Sequence, residues 1–177
     1  MRSQRLVAAI AVTLLGAVAH AQEVTKPSVT GVTNFAKLEA TIACGGATTT
    51  EGVAELKKLG YASIINLRQA TETGADVQAA TAAANVAGIR YIHLPMNGQA
   101  PDPAVADSFV KAVVEPENQP VFVHCGSGNR AAAMWMIKRL VVDGWDADRA
   151  AVEAAALGLR NEALKKFALD YAASKKK

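Results

Sequence analysis

The chain has 177 residues, of which 51% are hydrophobic and 20% are charged, and its formal net charge is +3 at pH 7. This length is sufficient for one domain with a single hydrophobic core. The basic residues form no patch of the size that nucleic-acid binding requires, so we expect no nucleic-acid partner.

The first 21 residues have the pattern of an export signal. Arg2 and Arg5 precede an apolar run over residues 6–18, and the small residues Ala19 and Ala21 frame a cleavage site. We therefore expect cleavage after Ala21, a periplasmic or secreted protein, and no membrane attachment after signal cleavage. An uncleaved anchor is the alternative.

The remaining chain alternates between strand and helix patterns. Residues 22–33 are polar and predict a flexible leader, and residues 174–177 form a basic tail. Between them, residues 34–173 predict one α/β domain with a central mixed or parallel sheet of four to five strands, flanked by helices. The predicted strands lie near residues 40–43, 61–67, 90–94 and 121–124, and the predicted helices near 48–60, 75–87, 102–115, 130–142, 147–157 and 161–173.

Two helix starts carry clear capping signals. Thr48 followed by Glu51 is the pattern of a capping box. Asp102 followed by Pro103 places a capping carboxylate before a proline at the first helical position. Each pair predicts where a helix begins.

The segment between residues 121 and 130 has the most informative pattern in the chain. Cys125 follows an apolar strand, and Arg130 begins a helix. Backbone N–H groups of a glycine-rich loop, together with a helix N-terminus, form a cradle for an anion. Such a cradle also stabilises a thiolate, which is the reactive form of cysteine. The residues predicted to bind the anion are Gly126, Ser127, Gly128, Asn129 and Arg130.

This segment resembles the signature of the cysteine-dependent phosphatases. The resemblance covers His124, Cys125, Gly128 and Arg130, although the loop has one residue fewer than the usual signature. The run Ile-Ile-Asn-Leu-Arg at residues 64–68, followed by Glu72, is also similar to the bacterial dual-specificity phosphatase-like family. Within it the chain resembles the beta-lactamase hydrolase-like phosphatase group, whose members share the short loop.

The resemblance implies a role for each matching residue. Cys125 would attack phosphorus, Arg130 would bind the phosphoryl oxygens, and Asp102 would be the general acid. His124 and Arg68 would support the loop. No cofactor and no metal is implied, and the expected partner is a phosphorylated small molecule or a phosphoprotein.

Asp102 and Ala131 complicate this assignment. Asp102 is also predicted to cap a helix, a structural role that competes with acid catalysis. Ala131 occupies the position where phosphatases usually have a hydroxyl that assists the departing thiolate. The sequence therefore predicts slow hydrolysis and a preference for activated aryl phosphates.

Two other functions remain open at this point. The four-residue spacing between Cys125 and Arg130 is also that of rhodanese-like sulfurtransferases, in which the cysteine carries a persulfide. A non-catalytic module that binds phosphate or another anion would use the same cradle. The chain has two cysteines, so either a bridge between Cys44 and Cys125 or two free thiols is compatible with export.

Overall fold

The computed structural model describes residues 23–176, and the predicted export signal lies outside these residues. Within them the chain forms one α/β domain around a five-stranded mixed sheet, which confirms the predicted fold class. The strands are β1 (Ala36–Lys37), β2 (Ile42–Gly45), β3 (Ser63–Asn66), β4 (Arg90–His93) and β5 (Val121–His124). The α-helices are α1 (Thr50–Lys58), α2 (Val77–Ala87), α3 (Pro103–Val114), α4 (Asn129–Val141), α5 (Ala147–Leu157) and α6 (Glu162–Lys175).

The order of the strands places β5 in the centre of the sheet. The order is β1-β2-β5-β3-β4, and only β1 runs antiparallel to its neighbour. His124, the last residue of β5, pairs with Gly45 on one side and with Asn66 on the other. The three central strands therefore end side by side, and the loop after His124 emerges at the carboxyl edge, where ligands bind in open α/β sheets.

The first part of the sheet differs from the sequence-based prediction. We expected one strand near residues 40–43, whereas the chain forms β1 and, after a short turn, β2. The strand β1 consists of only two residues, Ala36 and Lys37. Two residues are too few to show the alternation of apolar and polar side chains that predicts a strand.

The helix starts follow from their capping residues, with one shift. Asp102 Oδ1 accepts a hydrogen bond from Ala104 N at 2.8 Å and so begins α3 as predicted. At α1 the cap is Thr49 rather than Thr48, because Thr49 Oγ1 accepts from Gly52 N at 3.2 Å. The predicted capping box was therefore placed one residue too early.

The helices cover both faces of the sheet. On one face, Phe122 and Ile64 pack with α1 and α2. On the other face lies α4, which is buried along most of its length between the sheet, α3, α5 and α6. Met134 to Ile137 form a fully apolar run in α4, and all four residues are buried because helices surround α4. No helix in residues 23–176 is long and apolar enough to cross a membrane.

Part of the predicted leader contacts the domain. Thr25 N donates to Lys37 O at 2.8 Å and Lys37 N donates back to Thr25 O at the same distance. Val32 pairs with Thr48 further along. These contacts hold the segment against β1 and the chain before α1, and Asn34 at its end reaches Ser127 in the loop that follows β5.

Candidate active site

The loop from Cys125 to Gly128 joins the central strand β5 to the helix α4. Cys125 N donates to Gly45 O at 3.2 Å, and Ala47 N donates to Gly126 O at 3.0 Å. Gly128 has a φ of +101°, a left-handed conformation that side chains with a Cβ rarely adopt. These constraints turn the loop tightly into the N-terminus of α4, as the glycine pattern predicts.

The sulfur of Cys125 lies inside this loop. The residue has no exposed surface, so its side chain is shielded from bulk water. Its surroundings are nevertheless polar, since Gly128 N donates to Sγ at 3.1 Å. The guanidinium of Arg130 lies over the loop, since its Nη2 would be 3.6 Å from a Cβ placed on Gly126, the residue after Cys125. The sulfur therefore has an amide donor in contact and a cation nearby.

Arg130 is held by a dense set of hydrogen bonds. Its Nη1 donates to Glu72 Oε1 at 2.6 Å and its Nη2 to Glu72 Oε2 at 2.8 Å, which is a bidentate pair. Nη1 also donates to the carbonyl oxygens of Leu67 at 3.1 Å and Met96 at 2.8 Å. The side chain is only 13% exposed. Arg130 therefore has a fixed position beside Cys125.

Glu72 is the charge that balances Arg130. The hydrogen bonds from Arg130 are the main reason why the pKa of the Glu72 carboxyl falls to about 2. Gln69 N adds a hydrogen bond to Glu72 Oε1 at 2.8 Å. Glu72 is consequently ionised at neutral pH.

Arg68 holds the turn that carries Glu72. Its Nη1 donates to Gly74 O at 3.0 Å and its Nη2 to Thr73 O at 2.7 Å, while Nε is 3.4 Å from Glu72 Oε2. The Arg68 side chain is buried at the end of β3. This position agrees with a supporting role, exerted through Glu72 rather than through the loop itself.

His124, the last residue of β5, is buried beneath the loop. The ring stacks on Phe122 with centroids 5.8 Å apart. Neither ring nitrogen has a hydrogen-bond partner among residues 23–176. Burial lowers the pKa of His124 to about 4, so the imidazole is neutral near pH 7. His124 thus lies under the loop as a neutral ring, stacked on Phe122 and next to the backbone of Gly46 and Cys125.

The opposite side of the loop is fixed by two asparagines. Asn129 Nδ2 donates to Ser127 Oγ at 3.3 Å, and Asn129 Oδ1 accepts from Arg160 N at 2.7 Å and from Asn161 N at 3.1 Å. The second asparagine is Asn34, whose Nδ2 donates to Ser127 O at 3.1 Å.

Sequence reasoning did not find Asn34. Its φ of +51° is the only positive φ of a non-glycine residue in the described part of the chain. Asparagine tolerates this conformation better than most residues. Nothing in the local sequence pairs Asn34 with a loop 93 positions later.

A cleft of about 550 Å³ opens above Arg130 and the loop. Gln69, Asn97 and Gln99 contribute polar side chains to its walls. Glu72 is the one carboxylate among its described lining residues, and it is already paired with Arg130. The cleft can therefore bind an anion, but its lining offers no free carboxyl group.

Asp102 lies outside the lining of this cleft, as does Cys125, which is buried beneath the loop. The Asp102 carboxylate is directed into the N-terminus of α3, where it accepts from Ala104 N. The role of general acid that the resemblance implies for Asp102 gains no support from this position. His93 also has a structural position, since its Nε2 lies 2.8 Å from Arg68 O.

Both cysteines are free thiols. Cys44 lies on β2 and pairs with Val123 of β5, two residues before Cys125. The pKa of the Cys44 thiol is raised, mainly because the thiol is buried. The predicted alternative of a bridge between Cys44 and Cys125 is thus not formed. No group of three or more acidic, histidine or cysteine side chains within residues 23–176 could hold a metal ion.

A comparison with protein families gives one match that covers most of the chain. The model of the family described as DSP-PTPase phosphatase fused to NAD+ kinase matches residues 15–170. No curated protein matches the chain in sequence at a significant level.

Solved structures with the same fold are also phosphatase-like. A DUF442 protein from Shewanella putrefaciens CN-32 is 20% identical, with a TM-score of 0.70 over 83% of this chain and 95% of that one. The catalytic core of the PP-IP phosphatase SIW14 from S. cerevisiae, bound to citrate, is 20% identical, with a TM-score of 0.67 over 80% and 87%. P. aeruginosa TpbA in complex with phosphotyrosine is 21% identical, with a TM-score of 0.65 over 90% and 93%.

Proposed function

The chain belongs to the family of DSP-PTPase phosphatases fused to NAD+ kinase, and from this membership we propose that it hydrolyses phosphomonoesters through a phosphocysteine on Cys125. The observation that carries the proposal is the bidentate pair between Arg130 and Glu72, which fixes a guanidinium over the loop that begins at Cys125. The same membership favours phosphoryl transfer over the persulfide chemistry that the short loop also allows.

In the first step, the Cys125 thiolate attacks phosphorus in line with the leaving oxygen. A sulfur–phosphorus bond forms and the phosphorus–oxygen bond to the leaving group breaks, so the electron pair of that bond leaves on oxygen. The loop amides and Arg130 stabilise the equatorial oxygens of the transition state. Because Arg130 already has its position, little reorganisation is needed when charge develops.

The leaving group determines the rate of this step. Glu72 is ionised and paired, so the cleft lining supplies no proton to the departing oxygen. An aryl oxygen leaves as a stable anion without a proton, whereas an alkyl oxygen does not. We therefore propose aryl phosphates such as phosphotyrosine as the preferred substrates.

In the second step, water attacks the phosphocysteine and releases inorganic phosphate together with the Cys125 thiolate. Ala131, the first residue after Arg130, is buried and has no hydroxyl that could assist the thiolate. This step is consequently slow, and the phosphocysteine should accumulate during turnover.

Rapid acid quenching tests both steps. The purified protein, mixed with an aryl phosphate, should gain the mass of one phosphoryl group on the peptide containing Cys125, and Cys125→Ser should release no phosphate. Phosphate release by Cys125→Ser at the rate of the unmodified protein would contradict the mechanism. A mass gain of one sulfur after thiosulfate treatment, without phosphatase activity, would favour sulfur transfer instead.

We also propose that the protein is exported, on the sequence of residues 1–21. Cell fractionation should place the protein outside the cytoplasm with Gln22 as its first residue. Replacement of the apolar run 6–18 by polar residues should retain the protein in the cytoplasm at full length.

A further inference from the structure

A second cavity lies on the other side of the loop from the phosphate cleft. Its volume is about 580 Å³, and its walls come from the N-terminal segment, the loop and the chain after α5. Ser127 and Asn129 line this cavity and also the phosphate cleft, so the two spaces meet at these residues. We call it the Lys26–Arg160 cavity after its two cations.

The charges of the two spaces differ. In the phosphate cleft, Glu72 balances Arg130. The Lys26–Arg160 cavity has two cationic side chains and no carboxylate among its described lining residues. Lys26 has no ion-pair partner within residues 23–176. The net positive charge next to the phosphate site therefore comes from Lys26 and Arg160.

Arg160 has a fixed position relative to the loop. Its backbone N donates to Asn129 Oδ1 at 2.7 Å, and its Nη1 donates to Ala155 O at 2.5 Å and to Leu159 O at 2.9 Å. These hydrogen bonds use one nitrogen of the guanidinium, so Nε and Nη2 remain available to a ligand. Arg160 is thus preorganised beside the loop that binds the phosphoryl group.

We propose that the Lys26–Arg160 cavity binds a second anionic group of the substrate while the loop binds the phosphoryl group. This inference rests on the proposed function and narrows its substrates to phosphomonoesters with a neighbouring carboxylate or second phosphate. Attraction by Lys26 and Arg160 would hold such a substrate more tightly than a neutral one. Apolar side chains such as Phe35 and Leu157 line the same cavity and would contact the connecting atoms of the substrate.

The experiment measures binding to Cys125→Ser, so it does not require turnover. Three phosphotyrosine peptides are compared, which differ at one neighbouring position: glutamine, glutamate or a phosphorylated serine. Fluorescence anisotropy gives the dissociation constant of each. We expect each anionic peptide to bind about two- to tenfold more tightly than the neutral one, because each exposed cation contributes modestly. Higher salt should reduce this ratio.

Two variants assign the preference to the cavity. In the Cys125→Ser background, Lys26→Gln and Arg160→Gln should each reduce the preference for the anionic peptides, and the double variant should abolish it. Lys58→Gln removes the same charge from the exposed end of α1, outside the lining of both cavities, and should retain the full preference. Since Arg160 also caps carbonyl oxygens, Lys26→Gln alone keeps the test valid if Arg160→Gln folds poorly.

The outcomes separate the two proposals. Equal affinity for all three peptides, or a preference that persists in the double variant, would overturn the inference. A preference only for the glutamate peptide assigns the cavity to carboxylates, and a preference only for the doubly phosphorylated peptide assigns it to phosphates; either supports the inference. Failure of the proposed function has a different result: the unmodified protein would release no phosphate from any of the peptides.

Discussion

The two sides of the loop are held in different ways. On one side, Arg130 is fixed by Glu72 through two charged hydrogen bonds, and Arg68 holds the turn behind Glu72. On the other side, Ser127 accepts neutral hydrogen bonds from two exposed side-chain amides, those of Asn34 and Asn129. Charged, partly buried hydrogen bonds contribute more than exposed neutral ones. The Arg130 side should therefore determine the chemistry, and the Asn34 side should adjust substrate binding.

The largest effect is expected from Glu72→Gln, which removes the charged pair on the Arg130 side of the loop. The glutamine side chain is neutral and has one acceptor oxygen, so it cannot replace both charged hydrogen bonds to Arg130. Arg130 therefore loses its fixed position. Displacement of a catalytic group by about 1 Å costs on the order of 10²-fold in rate. Steady-state kinetics with an aryl phosphate should show this loss in kcat/KM, and denaturant unfolding should show a loss of about 1–3 kcal/mol.

Glu55→Gln is the matched control for this variant. Glu55 pairs with Lys58 on the surface of α1, outside the cleft lining. Its replacement should change kcat/KM less than twofold and the free energy of unfolding by about 0–1 kcal/mol. Equal losses for both variants would show that Glu72 has no special role at the site.

The second prediction concerns pH. The pKa of Glu72 is lowered from 4.5 to about 2, so the carboxylate stabilises the folded state fully above pH 4.5. As the pH falls from 4.5 through 2, Glu72 becomes protonated and this stabilisation is lost. The free energy of unfolding should therefore decrease more steeply in this range for the unmodified protein than for Glu72→Gln. Parallel curves for the two proteins would contradict the assignment.

A smaller effect is expected on the other side of the loop, from Asn34. Asn34→Gly keeps the left-handed backbone but removes the hydrogen bond to Ser127. Loss of one neutral hydrogen bond corresponds to about 1 kcal/mol, or about fivefold in an equilibrium constant. We expect KM for an aryl phosphate to rise by about this factor, with a smaller change in kcat.

Two further variants show whether the rise in KM is caused by loss of the Asn34 amide or by a change in the backbone at this position. Asn34→Asp keeps the side-chain shape and loses the donor, so it should match or exceed the effect of Asn34→Gly. Asn85→Asp introduces the same charge change on the exposed face of α2 and should leave KM within twofold. A normal KM for Asn34→Asp would exclude the role assigned to this hydrogen bond.

The smallest effect is expected from Asp102→Asn. Asparagine caps helices as well as aspartate does, so the free energy of unfolding should change little. Because the Asp102 carboxylate is directed into α3, kcat should also change less than twofold. A general acid would instead lose 10²- to 10⁴-fold, together with the basic limb of the pH–rate profile. Measurement of kcat between pH 5 and 9 distinguishes these results.

Much of the fold could be predicted because its signals are local. The strand β5 is a short apolar run, and α3 begins where an aspartate precedes a proline. Errors occurred where local patterns are weak: β1 has only two residues, and two adjacent threonines could each have capped α1. Burial of all four residues from Met134 to Ile137 depends on helices that pack around α4, which periodicity within α4 does not reveal.

By itself, the sequence determined the α/β fold class, the loop that contains Cys125 and the helix that follows it. These features depend on neighbouring residues, whose spacing is visible in the chain. Only the tertiary structure decided which side chains meet there. Glu72 reaches Arg130 across 58 positions and Asn34 reaches Ser127 across 93, while Asp102 remains in its helix cap. Contacts of this kind form only when the strands pair in the order β1-β2-β5-β3-β4. The spacing of apolar residues within a single strand or helix does not reveal that order.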